Sequence, residues 1–193
     1  MSSLRTPCLC GKNFMQNDIS EIIFTESQIQ KRVKELAHEI SDDYKGKQVT
    51  MVSVLKGATI FLADLMKNLS IPLSIDFMAV SSYKNTESSG IVRMIMDLRE
   101  SPENKNLLII EDIIDTGLTM HYLCENLKTR RPKSLKICSL LYKPARKIKE
   151  IKIDYLGFEV PDKFVVGYGM DYNEIYRNLP YIGILKPDVY RRK

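Results

Sequence analysis

No apolar run in the sequence approaches the roughly 18 residues that a membrane-spanning helix needs. The N-terminus also lacks the basic flank, apolar stretch and small-residue cleavage site of a secretory signal. Together these absences predict a cytoplasmic protein with no membrane partner. Cysteine is scarce, with only Cys8, Cys10, Cys124 and Cys138. The Cys8-x-Cys10 doublet has no second close pair to complete a zinc site, and the other two lie in apolar surroundings, so reduced thiols are expected. No G-x-G-x-x-G follows the first apolar strand, which removes the dinucleotide-binding fingerprint. There is no aromatic-interleaved basic stripe and no reader motif, so nucleic acid is not expected as a partner. The net charge of +5 suits small anions such as phosphates, although Arg130, Arg131, Lys147, Lys149 and Lys152 serve equally as solvated surface.

What is present is a globular composition, 44% hydrophobic and 27% charged over 193 residues, without an internal repeat or a linker. Residues 1–20 carry no sustained period and are expected to be an N-terminal extension, leaving 21–193 as one domain. Thr25 and Gln28 form a capping box ahead of Ile29, Val33, Leu36 and Ile40 at helical spacing, which predicts a helix over 26–43. VTMVSVL (49–55) has the β-branched character of a strand buried on both faces, Lys56-Gly57 breaks it, and TIFLADLMKNL is helical. LSIDFMAVSS and IVRMIMDL predict two strands joined by the exposed stretch YKNTESSG, a candidate lid. Apolar Leu107 to Ile110 starts another strand, and Gly117 opens a helix through Met120, Leu123, Cys124 and Leu127. SLKICSLLY, IDYLGF and FVVGYGMDY predict further strands. The alternation implies an α/β fold whose mostly parallel central sheet is flanked by helices.

The chemistry concentrates in Glu111-Asp112-Ile113-Ile114-Asp115-Thr116-Gly117-Leu118-Thr119, which is expected to put three carboxylates and two hydroxyls in the turn between a buried strand and a helix. Ligands of open α/β sheets gather at the carboxyl ends of strands. A phosphate there would meet free N–H groups at the helix start, Gly117 would remove an obstructing Cβ, and Thr116 and Thr119 would donate hydroxyls. Glu111 and Asp112 would repel a phosphate, and so face ribose hydroxyls or a hard cation such as magnesium. A bare D-T-G is ordinarily a helix cap. The whole run of apolar residues, two acids, two apolar residues and D-T-G-x-T matches the 5-phosphoribosyl 1-pyrophosphate signature.

From about Ile22 to Tyr190 the chain closely resembles the hypoxanthine-guanine phosphoribosyltransferase family, bacterial members in particular. The resemblance runs through VSVLKG, DFMAVSSY, LLIIEDIIDTG, SLLYKP and DKFVVGYGMDYNEIYRNLPYIG. It implies the type I phosphoribosyltransferase fold, with a small hood formed by terminal segments and a mobile lid starting at Ser82 and Tyr83. It implies a purine salvage enzyme that transfers the phosphoribosyl group from 5-phosphoribosyl 1-pyrophosphate to N9 of hypoxanthine or guanine, with xanthine left open. Magnesium is the implied cofactor and a homodimer or homotetramer the implied assembly.

By the same resemblance Lys56 and Gly57 form the pyrophosphate turn, with the Leu55–Lys56 peptide cis in some states. Glu111 and Asp112 serve the ribose and the metal, Asp171 meets the metal through water, and Arg177 clamps pyrophosphate with its bidentate fork. Thr116, Gly117 and Thr119 hold the 5′-phosphate, and Asp115 handles the proton at purine N7. Lys143 donates to purine O6, Phe164 stacks on the ring, and the Val165 backbone meets the N1–C2 edge. A donor aimed at position 6 disfavours adenine, whose amino group is itself a donor. Arg146 and Lys147 do not align on a family residue and receive no role, nor do Cys8 and Cys10. The competing reading is a phosphoribosyl-pyrophosphate sensor that contacts RNA; Lys143, Phe164, Asp171 and Arg177 beside the cradle favour an enzyme.

Overall fold

The computed structural model describes residues 15–82 and 92–190; Cys8, Cys10, Tyr83 and most of the lid segment lie outside them. In chain order the first elements are β1 (Ile19–Phe24), α1 (Glu26–Asp43), β2 (Val49–Leu55), α2 (Thr59–Asn68), β3 (Leu73–Ser82) and β4 (Val92–Met96). They are followed by β5 (Asn106–Ile114), α3 (Leu118–Lys128), β6 (Ser134–Tyr142), β7 (Tyr155–Glu159), β8 (Val165–Val166), β9 (Ile182–Leu185) and α4 (Pro187–Tyr190). Six strands form the central sheet in the order β4-β3-β2-β5-β6-β7, parallel except for the antiparallel edge β4.

Strand alternation builds two cores. On β5, Leu108 and Ile110 face α1 and α2 with Ile29, Val33, Leu36, Phe61 and Leu65, while Leu107 and Ile109 face α3 with Met120, Leu123 and Leu127. This is the period-2 geometry of a strand covered on both sides. The start of α1 is as expected from Thr25, whose hydroxyl accepts from Gln28 N at 3.4 Å while Gln28 Oε1 accepts from Thr25 N at 2.9 Å. Among the described residues no helix is long and apolar enough to cross a membrane.

A second, three-stranded antiparallel sheet, β1-β9-β8, is made from the two ends of the described chain and forms the hood. Here two expectations need correction. Ile19 and Ser20 belong to β1 and pair with the hood rather than to an extension, because Ile19 lies opposite Leu185. FVVGYGMDY is a strand only at Val165–Val166, since Gly167, Tyr168 and Gly169 all take positive φ (98°, 49° and 102°) and turn the chain. The Tyr168 hydroxyl donates to Asp64 on α2 at 2.7 Å, and Gln30 of α1 donates to the same oxygen at 2.6 Å. That carboxylate ties both helices to the hood.

The pairing of β2 with β5 ends at Ser53 and Ile110. Beyond that point β2 continues beside β3 to Leu55, and β5 beside β6 to Ile114. The two strands part where the strand order reverses direction, which is the crevice that open α/β sheets use for ligands. Leu108 is fully buried in the sheet. Leu108→Ala is expected to lower unfolding free energy by about 2–5 kcal/mol, measured by urea denaturation at constant m-value; a loss under about 1 kcal/mol would contradict this packing.

Candidate active site

Glu111 and Asp112 lie inside β5, not in the turn after it. Glu111 pairs with Ser139 of β6 in the ladder, so strand geometry persists while the flank toward β2 is open. Burial, and then the neighbouring Asp112 charge, hold the Glu111 carboxyl well above the usual carboxylate range. Burial pushes Asp112 up to about 6, opposed by its own and the Ile113 amide N–H and by Arg177. Glu111 Oε2 is buried without a protein hydrogen-bond partner. Two adjacent carboxyls that resist ionisation, one with an orphaned oxygen, are a hard-oxygen donor pair suited to a divalent cation. Among the described residues no three His, Cys, Asp or Glu side chains converge into a protein cage. Two carboxyls supply only part of the oxygen shell of a divalent cation.

The turn after β2 closes over this pair. A Cβ on Gly57 would stand 1.8 Å from Asp112 Oδ2, and a Cβ on Gly169 would stand 2.0 Å from the Gly57 carbonyl oxygen. Backbone from the hood, the β2 turn and a β5 carboxylate thus meet at a point with no room for a side chain. The Leu55–Lys56 peptide is cis. Lys56 Nζ lies 3.0 Å from Glu174 Oε2, and Arg177 reaches Asp171 at 2.8 Å, Glu174 at 3.3 Å and the Gly169 carbonyl at 2.8 Å. Arg177 Nε is buried without a partner.

Beyond β5, a recess of about 90 Å³ is lined by Glu111, Asp115, Thr116, Gly117 and Thr119 among others. Gly117 is the N-cap of α3 at φ 79° with no side-chain cap, and Asp115 does not cap the helix; Leu118 N donates to Thr116 Oγ1 at 3.4 Å, which leaves the Thr119 and Met120 amides as the open donors of the first turn. A Cβ on Gly117 would also meet the Lys149 carbonyl at 2.6 Å, so the glycine serves loop packing as well as ligand access. Asp115 Oδ2 accepts from Arg146 at 3.0 Å, and Asp115 Oδ1 is buried without a partner. Arg146 reaches on to Asp162 at 3.7 Å.

Lys143 is buried, and desolvation lowers its ammonium pKa against the opposing pull of Asp115. With Phe164 it lines a cleft of about 520 Å³ whose other walls include Arg146, Asp162 and Tyr190. Phe164 stacks on Tyr190 at 5.1 Å and meets Tyr172 edge-on at 5.5 Å, which fixes its ring. Val165 is buried in β8. A cleft of about 450 Å³ at the opposite end of the sheet, lined by Thr50, Ser74, Asp76 and Arg99, differs in kind. Its polar groups bond to one another, Thr50 to Ser74 at 3.0 Å and Asp76 to the Phe77 and Arg99 amides at 2.8 and 2.9 Å.

The structure therefore brings Lys56, Gly57, Asp112, Asp171 and Arg177 into one corner, Glu111, Asp115, Thr116, Gly117 and Thr119 into the next, and Lys143 with Phe164 beside them. Ser82 ends β3, and Tyr83 is outside the described residues. Arg146, Asp162 and Glu174 carry no sequence signal, because each is defined by a partner distant in the chain or by loop shape.

The phosphoribosyl transferase domain model matches residues 20–173. The hypoxanthine-guanine phosphoribosyltransferase of Bacillus subtilis is 54% identical over 177 residues, covering 91% of this chain and 98% of that protein. The bifunctional protein TilS/HprT of Listeria monocytogenes is 51% identical over 93% of this chain, which spans only 28% of that longer protein. A crystal structure of a Staphylococcus aureus hypoxanthine phosphoribosyltransferase superposes with a TM-score of 0.88 at 52% identity, covering 92% of this chain and 97% of that one.

The raised Asp112 carboxyl has a consequence for stability. Its folded pKa of about 6 exceeds the ordinary 3.8, so the folded state holds the proton more tightly, and the stability this contributes below 3.8 is lost as pH rises to about 6. Asp112→Asn removes that penalty. In the absence of divalent cations and ligands the variant is expected to melt higher than wild type at pH about 8, with the gap closing as pH falls below about 4. Equal melting temperatures across that range, by calorimetry, would refute the assignment.

Proposed function

This chain belongs to the hypoxanthine-guanine phosphoribosyltransferase family, and from that premise we propose that it transfers the phosphoribosyl group of 5-phosphoribosyl 1-pyrophosphate to N9 of hypoxanthine or guanine. The bond from ribose C1′ to the pyrophosphate oxygen breaks, the bond to purine N9 forms, and the purine gives up one proton. Pyrophosphate and IMP or GMP leave. The observation that carries the reading is the position of the unpartnered buried polar atoms. Of five such side-chain atoms among the described residues, three are Glu111 Oε2, Asp115 Oδ1 and Arg177 Nε. Buried polar groups are nearly always satisfied, and three exceptions around one crevice point to a polyanionic, hydroxyl-rich ligand as the missing partner.

The 5′-phosphate would sit on the open amides at the start of α3 with Thr116 and Thr119, where the helix N-terminus favours an anion. Glu111 and Asp112 would orient the ribose hydroxyls. Lys56 and Arg177 would hold the pyrophosphate, and their charge would stabilise the oxygens that become negative as C1′ detaches. Magnesium, held by Glu111 or Asp112 directly and by Asp171 through water, would neutralise those same oxygens when bound. Asp115 presents Oδ1 to the N7 proton while Arg146 occupies Oδ2. Lys143 would donate to O6, and Phe164 would stack on the ring, with the Val165 backbone at the N1–C2 edge. The reading carries with it a cytoplasmic setting, a homodimer or homotetramer, a single catalytic domain that includes β1 from Ile19, and a lid that begins at Ser82 and Tyr83.

Steady-state rates with 5-phosphoribosyl 1-pyrophosphate, magnesium and each of hypoxanthine, guanine, xanthine and adenine test the whole. Nucleoside monophosphate is expected from the first two and not from adenine; no product at any pH would favour the sensor reading. Asp115→Asn should lower kcat by about 10²–10³-fold with little change in KM, as for loss of a general acid–base group. Lys143→Ala should weaken guanine use and narrow the preference over adenine; an undiminished guanine preference would remove Lys143 from O6.

A further inference from the structure

We propose that Glu174 is a built-in placeholder for the leaving group, an internal anion that bridges Lys56 and Arg177 until pyrophosphate displaces it. The inference deepens the reading of this corner as the pyrophosphate site and rests on it. A single oxygen, Glu174 Oε2, accepts from Lys56 Nζ at 3.0 Å and from Arg177 Nη2 at 3.3 Å. One anionic oxygen shared by an ammonium and a guanidinium is how a phosphate oxygen would sit there. Lys56 and Glu174 are 118 positions apart, so the bridge is made by the tertiary fold.

The loop is shaped to deliver that oxygen. Asn173, Glu174 and Tyr176 all take left-handed φ values of 51°, 63° and 79°, a region that side-chain-bearing residues seldom occupy. Such conformations persist where surrounding structure holds them and cluster at ligand clamps. Here the holding contacts are Glu174 N to Asp171 Oδ2 at 2.9 Å and the reciprocal Tyr172–Ile175 amide bonds at 3.1 and 3.0 Å.

The bridge is also weak enough to be exchanged. The Lys56 and Glu174 side chains are 67% and 63% exposed, and ion pairs so open to water contribute little. A diphosphate carries several charges against one, and Arg177 Nε still lacks a partner while Glu174 is in place. Glu174 therefore keeps two like charges together in the free protein and then competes with the diphosphate, lowering its affinity and easing product release.

Calorimetric titration of inorganic pyrophosphate at fixed magnesium, into wild type, Glu174→Gln, Glu174→Ala and Glu174→Asp, tests this. Removing the charge is expected to tighten pyrophosphate binding about 3- to 10-fold in the Gln and Ala variants. The gain should shrink at about 1 M salt, and Glu174→Asp should stay near wild type. In turnover assays the KM for 5-phosphoribosyl 1-pyrophosphate should fall in step. Unchanged or weaker pyrophosphate binding in both neutral variants, with wild type binding normally, overturns the placeholder role alone. A wild type that takes up no pyrophosphate overturns both this role and the transferase reading.

Discussion

Past Ile110 strand β5 keeps β6 and loses β2, and into the flank so opened it places two adjacent carboxyls, Glu111 and Asp112. Burial keeps both carboxyls from ionising readily, with the Asp112 charge adding to the effect on Glu111, and much of the surrounding architecture answers that constraint. Gly57 and Gly169 let two backbones approach where a Cβ would collide. Arg177 lowers the Asp112 pKa from one side, and the open first turn of α3 lies on the other. The burial that raises both carboxyls costs stability in the free protein at neutral pH, and a cation bound beside them would offset that cost.

The hood completes the crevice from a different part of the chain. It consists of strands from both ends, β1 with β8 and β9, and it brings Phe164, Asp171, Glu174 and Arg177 over the carboxyl ends of the central sheet. Its irregular stretch carries four non-glycine residues with positive φ, Tyr168, Asn173, Glu174 and Tyr176. Two of them are tied by hydroxyls, Tyr168 to Asp64 and Tyr176 to Asp18 at 2.8 Å. The local backbone rules are broken in this stretch, and the anchoring carboxylates come from α2 and from the turn just before β1.

Arg146 links the two halves of the site. Sequence leaves it without a role, because the KPARKIKE stretch does not align on a basic residue of the family. In the fold it engages the Asp115 carboxylate and reaches toward Asp162 ahead of Phe164. Asp115 and the cleft lined by Lys143 and Phe164 are thereby joined by one guanidinium, and Asp115 is left with one oxygen that has no protein partner.

Local chemistry sufficed for whatever depends on near neighbours. The capping box at Thr25 and the alternating apolar residues of β5 are complete within a few positions, so helix start and buried sheet could be read from residue order, and the nine-residue acid and hydroxyl run falls where β5 ends and α3 begins. Glu111 and Asp112 stand out in the sequence but not as strand residues, since the strand there is held by pairing with β6. FVVGYGMDY reads as a short strand, yet only Val165–Val166 pair, because the chain turns at Gly167, Tyr168 and Gly169. The cation corner of Lys56, Glu174 and Arg177, the Asp115–Arg146 pair and the Gly57–Asp112 contact arise only when distant segments pack together. Which oxygen is free, which charge is shared and where a Cβ cannot fit are distances between segments, and residue order alone does not contain them.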